Sequence, residues 1–293
     1  MSKYSHTKTF LLRALAVVLL ASLILLAACG ADLDSSAQVT PNTENTTTTD
    51  GVVNPAPSYG VSFQYDPSLA AGVQSQLVNA FTEDTGMDQL LVPQHLAYTF
   101  ADSYTDDEPL LQRPQLNLTT MPQIVVYPAA DYAATQPMAQ DQIDQLKDLL
   151  TAKPSAPDGP MPYLPLNNAA QVFNSQVAYL EFENGSGVRY VTAFSQDASP
   201  TTNEHLLYTF QGLTDDGDYY VAAFFPVTTA DLPDTAQVDD WDAFNINYPT
   251  YVAETEAMIN DLSPLDFTPN LTLLDDVVTS LQVEPDVDLN GLE

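Results

Sequence analysis

The sequence predicts an α+β fold, in which a mostly antiparallel β-sheet packs against helices. Residues 177–225 contain two pairs of apolar runs separated by turn residues, which is the pattern of two consecutive β-hairpins forming a four-stranded meander. Apolar and polar side chains alternate over 61–65 and 95–100, which predicts strands before the meander. Apolar residues three and four positions apart over 141–152 and again near the C-terminus predict helices.

An apolar segment with basic residues at its start precedes these elements and ends at Cys29, the only cysteine in the chain. Residues 10–26 are apolar, and the basic residues stand before or early in this run (Lys3, Lys8 and Arg13), as in a signal peptide. The alternative is an uncleaved transmembrane anchor. A run of about 17 residues interrupted by Arg13 and Ser22 is marginal for a spanning helix, which needs about 20 apolar residues.

The four residues Leu26-Ala27-Ala28-Cys29 resemble the lipobox of bacterial lipoprotein precursors. In that family the cysteine thiol receives a diacylglycerol, and the chain is then cut before the cysteine. The resemblance implies a palmitate-type lipid on Cys29, a membrane as partner through that lipid, and an extracytoplasmic location in the cell envelope, with the choice between inner and outer membrane open. Lipidation also accounts for a single unpaired thiol in an exported chain.

Composition predicts four parts along the chain. Residues 1–28 are the signal peptide. Residues 29–58 are rich in Thr, Pro and Asn without hydrophobic periodicity, so we expect a disordered linker with a reach of about 30 Å. Residues 59–283 carry the periodic segments and are predicted to form a single α+β domain without disulfides, and residues 284–293 form an acidic tail.

The chain is strongly acidic, with 39 Asp and Glu against seven Lys and Arg and a net charge of −32. All 39 acidic residues follow Cys29, together with only four basic ones (Arg113, Lys147, Lys153 and Arg189). Such a surface repels nucleic acid and anionic lipid headgroups, so we expect no nucleic-acid partner. Salt adaptation and a cationic partner both stay open.

Within the domain, the individual elements follow from local pattern. Residues 123–127 form an apolar run typical of a central strand, and the helix over 141–152 lies between Pro137 and Pro154. Residues 153–165 are Pro-rich but contain apolar side chains that should pack on the domain (Met161, Tyr163 and Leu164).

The predicted meander has two hairpins and is followed by two helices. The first hairpin pairs 177–183 with 188–194 around a turn at 184–187, and the second pairs 205–211 with 219–225 around 213–218. Residues 219–225 are apolar on both faces, so we expect layers on both sides of that strand. The later periodic segments predict helices over 250–262 and 271–281.

The order of these elements is similar to that of PsbP-like α/β/α sandwiches. The shared residues are Tyr59, Phe63 and Pro67, in the Tyr-x-x-x-Phe strand followed by proline with which those domains begin, and both end in a helix. Residues 102–122 have no counterpart. The resemblance implies a binding or assembly factor, because PsbP-like proteins are mostly non-catalytic.

Three groups of residues are candidates for chemistry. Asp215, Asp216 and Asp218 surround a glycine and suit either calcium, through hard oxygen ligands, or an ordinary hairpin turn. Two histidines, His95 and His205, follow Cys29 without a nucleophile motif near them. Tyrosines beside carboxylates suit glycans or cationic peptides, whereas Trp241, between acids, is expected to pack against a helix.

The sequence therefore predicts a lipid-anchored extracytoplasmic protein whose domain binds or scaffolds rather than catalyses. Its protein or glycan partner and its ligand-binding residues are not identified by any motif. The alternative is a carboxylate- or calcium-dependent envelope hydrolase that uses Asp215, Asp216 and Asp218. The diacylglycerol at Cys29 is the only covalent group expected, with calcium the only candidate cofactor.

Overall fold

The computed structural model describes with their side chains residues 58–82, 91–101, 121–285, 287 and 289, and describes by backbone alone residues 47–49 and 52–54. These residues all belong to the compact unit Pro41–Glu293. The predicted signal peptide, Cys29, most of the predicted linker and most of the predicted acidic tail lie outside the described residues.

The described part of the chain contains 13 strands and four α-helices. In chain order they are β1 (Thr47–Thr49), β2 (Val52–Asn54), β3 (Val61–Ser62), β4 (Gly72–Val78), β5 (His95–Ala101), β6 (Gln123–Pro128), α1 (Ala129–Thr135), α2 (Pro137–Ala152), β7 (Ala170–Phe182), β8 (Gly185–Ser195), β9 (Leu207–Thr214), β10 (Tyr219–Pro226), β11 (Thr228–Thr229), α3 (Trp241–Asp261), β12 (Phe267–Thr268), α4 (Leu271–Thr279) and β13 (Gln282–Val283).

Seven of these strands form one antiparallel sheet in the spatial order β4-β5-β6-β10-β9-β8-β7. The last four are consecutive along the chain, so the predicted meander of two hairpins is confirmed. The smaller pairs are β1 with β2, β11 with β12, and β13 with β3. The predicted fold class, a mostly antiparallel sheet packed with helices, is therefore confirmed.

Both faces of the sheet are buried under helices. On β10, Val221 and Phe225 belong to the core that α3 and α4 cover, whereas Tyr220 and Phe224 belong to the core that α1 and α2 cover. The period of two along the strand sends alternate side chains to opposite cores. The prediction that residues 219–225 are covered on both sides is confirmed.

The first hairpin turns earlier than predicted. Its turn residues are Glu183 and Asn184, and Gly185 and Gly187 lie within β8. The glycines are required by packing, because a Cβ on Gly187 would collide with the ring of Phe210 and the carbonyl oxygen of Gln211. The predicted turn at 184–187 is wrong. The prediction placed Gly185 and Gly187 in the turn, whereas they lie in β8 and make room for aromatic rings.

Other boundaries also differ. Helix α2 begins at Pro137, four residues before the predicted start, because the side chain of Gln136 accepts a hydrogen bond from the N–H of Met138 at 3.1 Å. The strand predicted over 61–65 is reduced to β3, which pairs with β13 outside the main sheet. Strand β4 and helix α1 are not predicted by the sequence patterns.

The Pro-rich segment 153–165 packs on the sheet, as predicted. The N–H of Leu164 donates to the side-chain oxygen of Gln211 at 2.9 Å, and the hydroxyl of Tyr190 donates to the carbonyl of Pro162 at 2.8 Å. The apolar side chains of the segment are buried (Met161, Tyr163 and Leu164). The segment therefore closes the core beneath α2.

Candidate functional site

Helix α3 is longer than the sequence predicts, and its first half is exposed. It begins at Trp241 rather than Thr250, because the carboxylate of Asp240 caps it by accepting a hydrogen bond from the N–H of Ala243 at 3.0 Å. Eight of its first ten residues are exposed, whereas Thr255 and Ile259 in its second half are buried against the sheet. The first half is thus available to a partner.

Four aromatic side chains form a continuous row along one face of this helix; we call Trp241, Phe244, Tyr248 and Tyr251 the aromatic row. Their ring centroids are 5.9 Å apart for Trp241 and Phe244, 5.7 Å for Phe244 and Tyr248, and 5.2 Å for Phe244 and Tyr251. Spacings of three and four residues place them on one face. The row therefore offers several rings to one ligand.

Trp241 does not pack against a neighbouring helix, and that expectation is wrong. Its side chain is 51% exposed, and its ring contact is with Phe244 of the same helix. The reason is its position as the first residue of α3, in the half of the helix that is not buried. Trp241 is also the only tryptophan in the chain, so its fluorescence reports on this place alone.

Two residues of the aromatic row, Phe244 and Tyr251, line a cleft of about 870 Å³, which we call the α3 cleft. One wall is α3, and the other is the segment 231–240 that follows β11. A volume in the range of about 300–1,000 Å³ is typical of small-molecule and cofactor sites. Its lining residues are Pro200, Asp231, Leu232, Pro233, Asp234, Thr235, Gln237, Val238, Asp239, Asp240, Phe244, Tyr251, Thr255 and Met258.

Asn203 holds the second wall in place. Its amide nitrogen donates to the carbonyls of Thr229 and Leu232 and to a carboxylate oxygen of Asp234, each at 3.0 Å. Its amide oxygen accepts from the N–H of Thr229 at 2.9 Å. Nδ2 carries two hydrogens, so two of the three acceptors share one of them, and this one side chain links Thr229 of β11 to the segment 231–240.

Tyr251 connects α3 to the segment that precedes β9. Its hydroxyl oxygen accepts a hydrogen bond from the N–H of Thr201 at 2.8 Å. Partial burial, with Tyr251 and Asp197 as neighbours, raises the pKa of Tyr248 above its ordinary value, so Tyr248 stays neutral at physiological pH. The hydrogen bond of Tyr251 therefore ties the α3 wall to the segment that contributes Pro200 to the cleft.

Four carboxylates give the cleft a negative charge. Asp240 is used as the α3 cap and Asp234 contacts Asn203, while Asp231 and Asp239 are exposed and form no ion pair among the described residues. The lysines and arginine of the described ranges are paired elsewhere, with no Lys or Arg lining the cleft (Lys147 with Asp144, Lys153 with Glu181, Arg189 with Asp275).

The structure does not pair the two histidines with each other. His95 is buried at the start of β5, where its Nδ1 lies 2.8 Å from the carbonyl oxygen of Pro93, and burial lowers its pKa to about 4. His205 is exposed and its Nδ1 lies 3.2 Å from the hydroxyl of Thr202. His205 lines a depression of about 540 Å³ that shares Pro200 with the α3 cleft.

Asp215, Asp216 and Asp218 lie together in the turn of the second hairpin. The carboxylate of Asp216 accepts hydrogen bonds from the hydroxyl of Thr214 at 2.6 Å and the N–H of Asp218 at 3.0 Å, and these bonds lower its pKa. In the part of the chain with described side chains, no group of three or more His, Cys, Asp or Glu is placed to hold a metal ion. The calcium alternative thus gains no support from this geometry.

Cys29 and the lipobox lie outside the described residues, so lipidation and the location it implies stay predictions. Among the helices that the structure describes, none combines the length and the apolar character needed to cross a membrane.

The sequence did not single out the residues that build the α3 cleft. The spacing of the aromatic row was readable, since Trp241 and Phe244 stand three residues apart and Tyr248 and Tyr251 repeat that step. Pro249 concealed it, because a proline normally ends or kinks a helix and here lies inside α3. Asn203 carries no local signal. Comparison with protein-family models, curated proteins and solved structures found no match.

Proposed function

We propose that this chain is a lipid-anchored extracytoplasmic protein that binds a ligand in the α3 cleft and does not transform it. The observation that supports binding is the aromatic row, in which Trp241 is exposed and the other three rings are half-buried, beside a cleft whose walls are held by hydrogen bonds. Partly solvent-exposed aromatic side chains often anchor ligands and partners. A rigid site of this kind costs little to order on binding.

The groups that line the cleft support recognition. Phe244 and Tyr251 supply contact area, and the aspartates supply charge. Asp240 and Asp234 are occupied by structural hydrogen bonds, which fix the walls but leave these carboxylates poorly suited to proton transfer. The resemblance to PsbP-like domains, which implies a binding or assembly role, points in the same direction.

The anchor is tested separately in cells that process lipoproteins. Cys29→Ser should abolish incorporation of labelled palmitate and, because the cut follows lipidation, should leave the signal peptide uncleaved. Ser35→Ala, a few residues downstream, is the matched control and should behave as the unaltered chain. A Cys29→Ser chain that keeps its label would refute the anchor.

Binding is tested on the full chain in a neutral detergent by Trp241 emission, excited at the red edge where tyrosine does not absorb. The panel contains hexalysine, hexaglutamate, a neutral Gly-Ser peptide and a neutral oligosaccharide. We expect one class to shift or quench the emission in a saturable way, and Phe244→Ala to weaken that response relative to Leu265→Ala, a change at an exposed apolar residue elsewhere. No response to any class would overturn the proposed site.

A further inference from the structure

We infer that the ligand of the α3 cleft is a basic peptide segment in an extended conformation, whose Lys or Arg side chains lie on the aromatic row. This inference rests on the proposed function and names its ligand class. It follows from two features of the described residues, namely uncompensated carboxylates at the cleft and the length of the aromatic row beside them.

Among the residues that the structure describes, no Lys or Arg is paired with the carboxylates of the cleft. Asp231 and Asp239 form no ion pair among the described residues, and the three described Lys and Arg are already paired with other acids. A neutral ligand that covered these carboxylates would displace their hydrating water without supplying a counter-charge. This desolvation is unfavourable for the free energy of binding. A cationic ligand supplies the missing partner, so charge favours a basic peptide over a neutral glycan.

The aromatic row adds a second attraction for cations. A Lys or Arg side chain over the face of Trp or Tyr, within about 6 Å of the ring, is attracted by the negative face of the ring. Trp241 is 51% exposed and so is available for such a contact, and Phe244 lines the cleft next to it. Carboxylates and rings therefore select the same chemical group.

The length of the row favours a chain over a single small ammonium ion. Trp241 and Tyr251 are ten residues apart on α3, which corresponds to about 15 Å along the helix axis. An extended peptide advances about 3.3 Å per residue, so four or five residues span the row and alternate side chains face it. A lone ammonium group would occupy one ring only.

The test is a titration of the full chain with hexalysine, followed by Trp241 emission and repeated in two double variants of equal charge. Asp231→Asn with Asp239→Asn removes two charges from the cleft, and Asp141→Asn with Asp148→Asn removes two exposed charges from α2. We expect the cleft variant to bind roughly fivefold to tenfold more weakly, and the α2 variant to stay within about twofold of the unaltered chain. Equal melting temperatures show that both variants fold.

The outcomes separate this inference from the proposed function. Equal weakening in both double variants would mean general attraction to an acidic protein and would overturn the inference. Tetramethylammonium binding as tightly as hexalysine would overturn the extended peptide. A saturable response to the neutral oligosaccharide but none to hexalysine would overturn the basic ligand and leave the cleft a binding site. No response to any probe would overturn both.

Discussion

The guanidinium group of Arg189 and the carboxylate of Asp275 form a bidentate ion pair between β8 and α4. Nε donates to Oδ1 at 3.0 Å and Nη2 donates to Oδ2 at 2.9 Å. The hydroxyl of Tyr208 also donates to Oδ1 at 2.9 Å, and Nη1 of the arginine donates to the carbonyl of Gln176. The side chains are 7% and 20% exposed, so this pair joins the sheet to α4 inside the protein.

Removal of one partner should destabilise the fold strongly. Asp275→Ala leaves the buried guanidinium of Arg189 without its carboxylate, and loss of one member of a buried pair costs about 3–5 kcal/mol. Asp276→Ala is the matched control, because that neighbouring side chain is exposed. Urea unfolding measures both. Equal stability of the two variants would show that the ion pair contributes little.

Gly187→Ala should be poorly tolerated, because the added methyl group meets a ring and a backbone carbonyl on β9. Overpacking of this kind costs about 1–3 kcal/mol, and the carbonyl cannot move without breaking the β8–β9 pairing. Ser186→Ala, one residue earlier on the same strand, is the control. Thermal unfolding measures both variants, and we expect a lower melting temperature for Gly187→Ala only. An unchanged melting temperature of Gly187→Ala would contradict this packing.

His95 should make stability depend on pH. Burial lowers its pKa from about 6.5 to about 4, so the unfolded chain takes up a proton in this range and the folded chain does not. The free energy of unfolding should therefore fall by up to about 3 kcal/mol as the pH falls from about 6.5 to about 4. Above pH 6.5 this contribution is complete.

His95→Phe removes this titration. The lost hydrogen bond to Pro93 lowers stability equally at each pH, so the difference between pH values isolates the imidazole. The carboxyls of Asp66 and Asp216, whose pKa values are lowered by hydrogen bonds from Ser68 and Thr214, titrate in both proteins and cancel. Urea unfolding at several pH values should give a flatter profile for His95→Phe; identical profiles would contradict the assignment.

Calcium should leave the melting temperature unchanged, because the turn at Asp215–Asp218 already uses the Asp216 carboxylate. Differential scanning calorimetry with calcium and with a chelator measures this. The variant Asp215→Asn with Asp218→Asn distinguishes a true site from screening of an acidic protein. If calcium raises the melting temperature of the unaltered chain but not that of this variant, the calcium-dependent alternative is supported.

The fold could be predicted where the pattern of apolar and polar residues along the sequence shows directly which side chains are buried. The apolar run of β10 identified a strand covered on both faces, and the apolar run of β6 identified a central strand. Helix starts could not be predicted in the same way, because the caps at Gln136 and Asp240 depend on one side chain each. The glycines of β8 misled the prediction because a strand partner, not a turn, requires them.

The candidate site was less predictable than the fold. Aromatic residues and carboxylates were recognised as suited to a ligand, yet the cleft depends on contacts between distant segments. Asn203 fixes a turn 26 residues away, and Tyr251 accepts a hydrogen bond from Thr201, 50 residues earlier. Such relationships have no local sequence pattern. The anchor at Cys29, in contrast, depends on a contiguous motif and is predicted from sequence alone.

The most direct test of a ligand site at the α3 cleft is hydrogen–deuterium exchange of the full chain with and without saturating hexalysine. We predict slower exchange confined to residues 231–251 and to the neighbouring segment around Thr201, with α2 unchanged. Protection spread evenly over the acidic surface, or centred away from α3, would contradict the account.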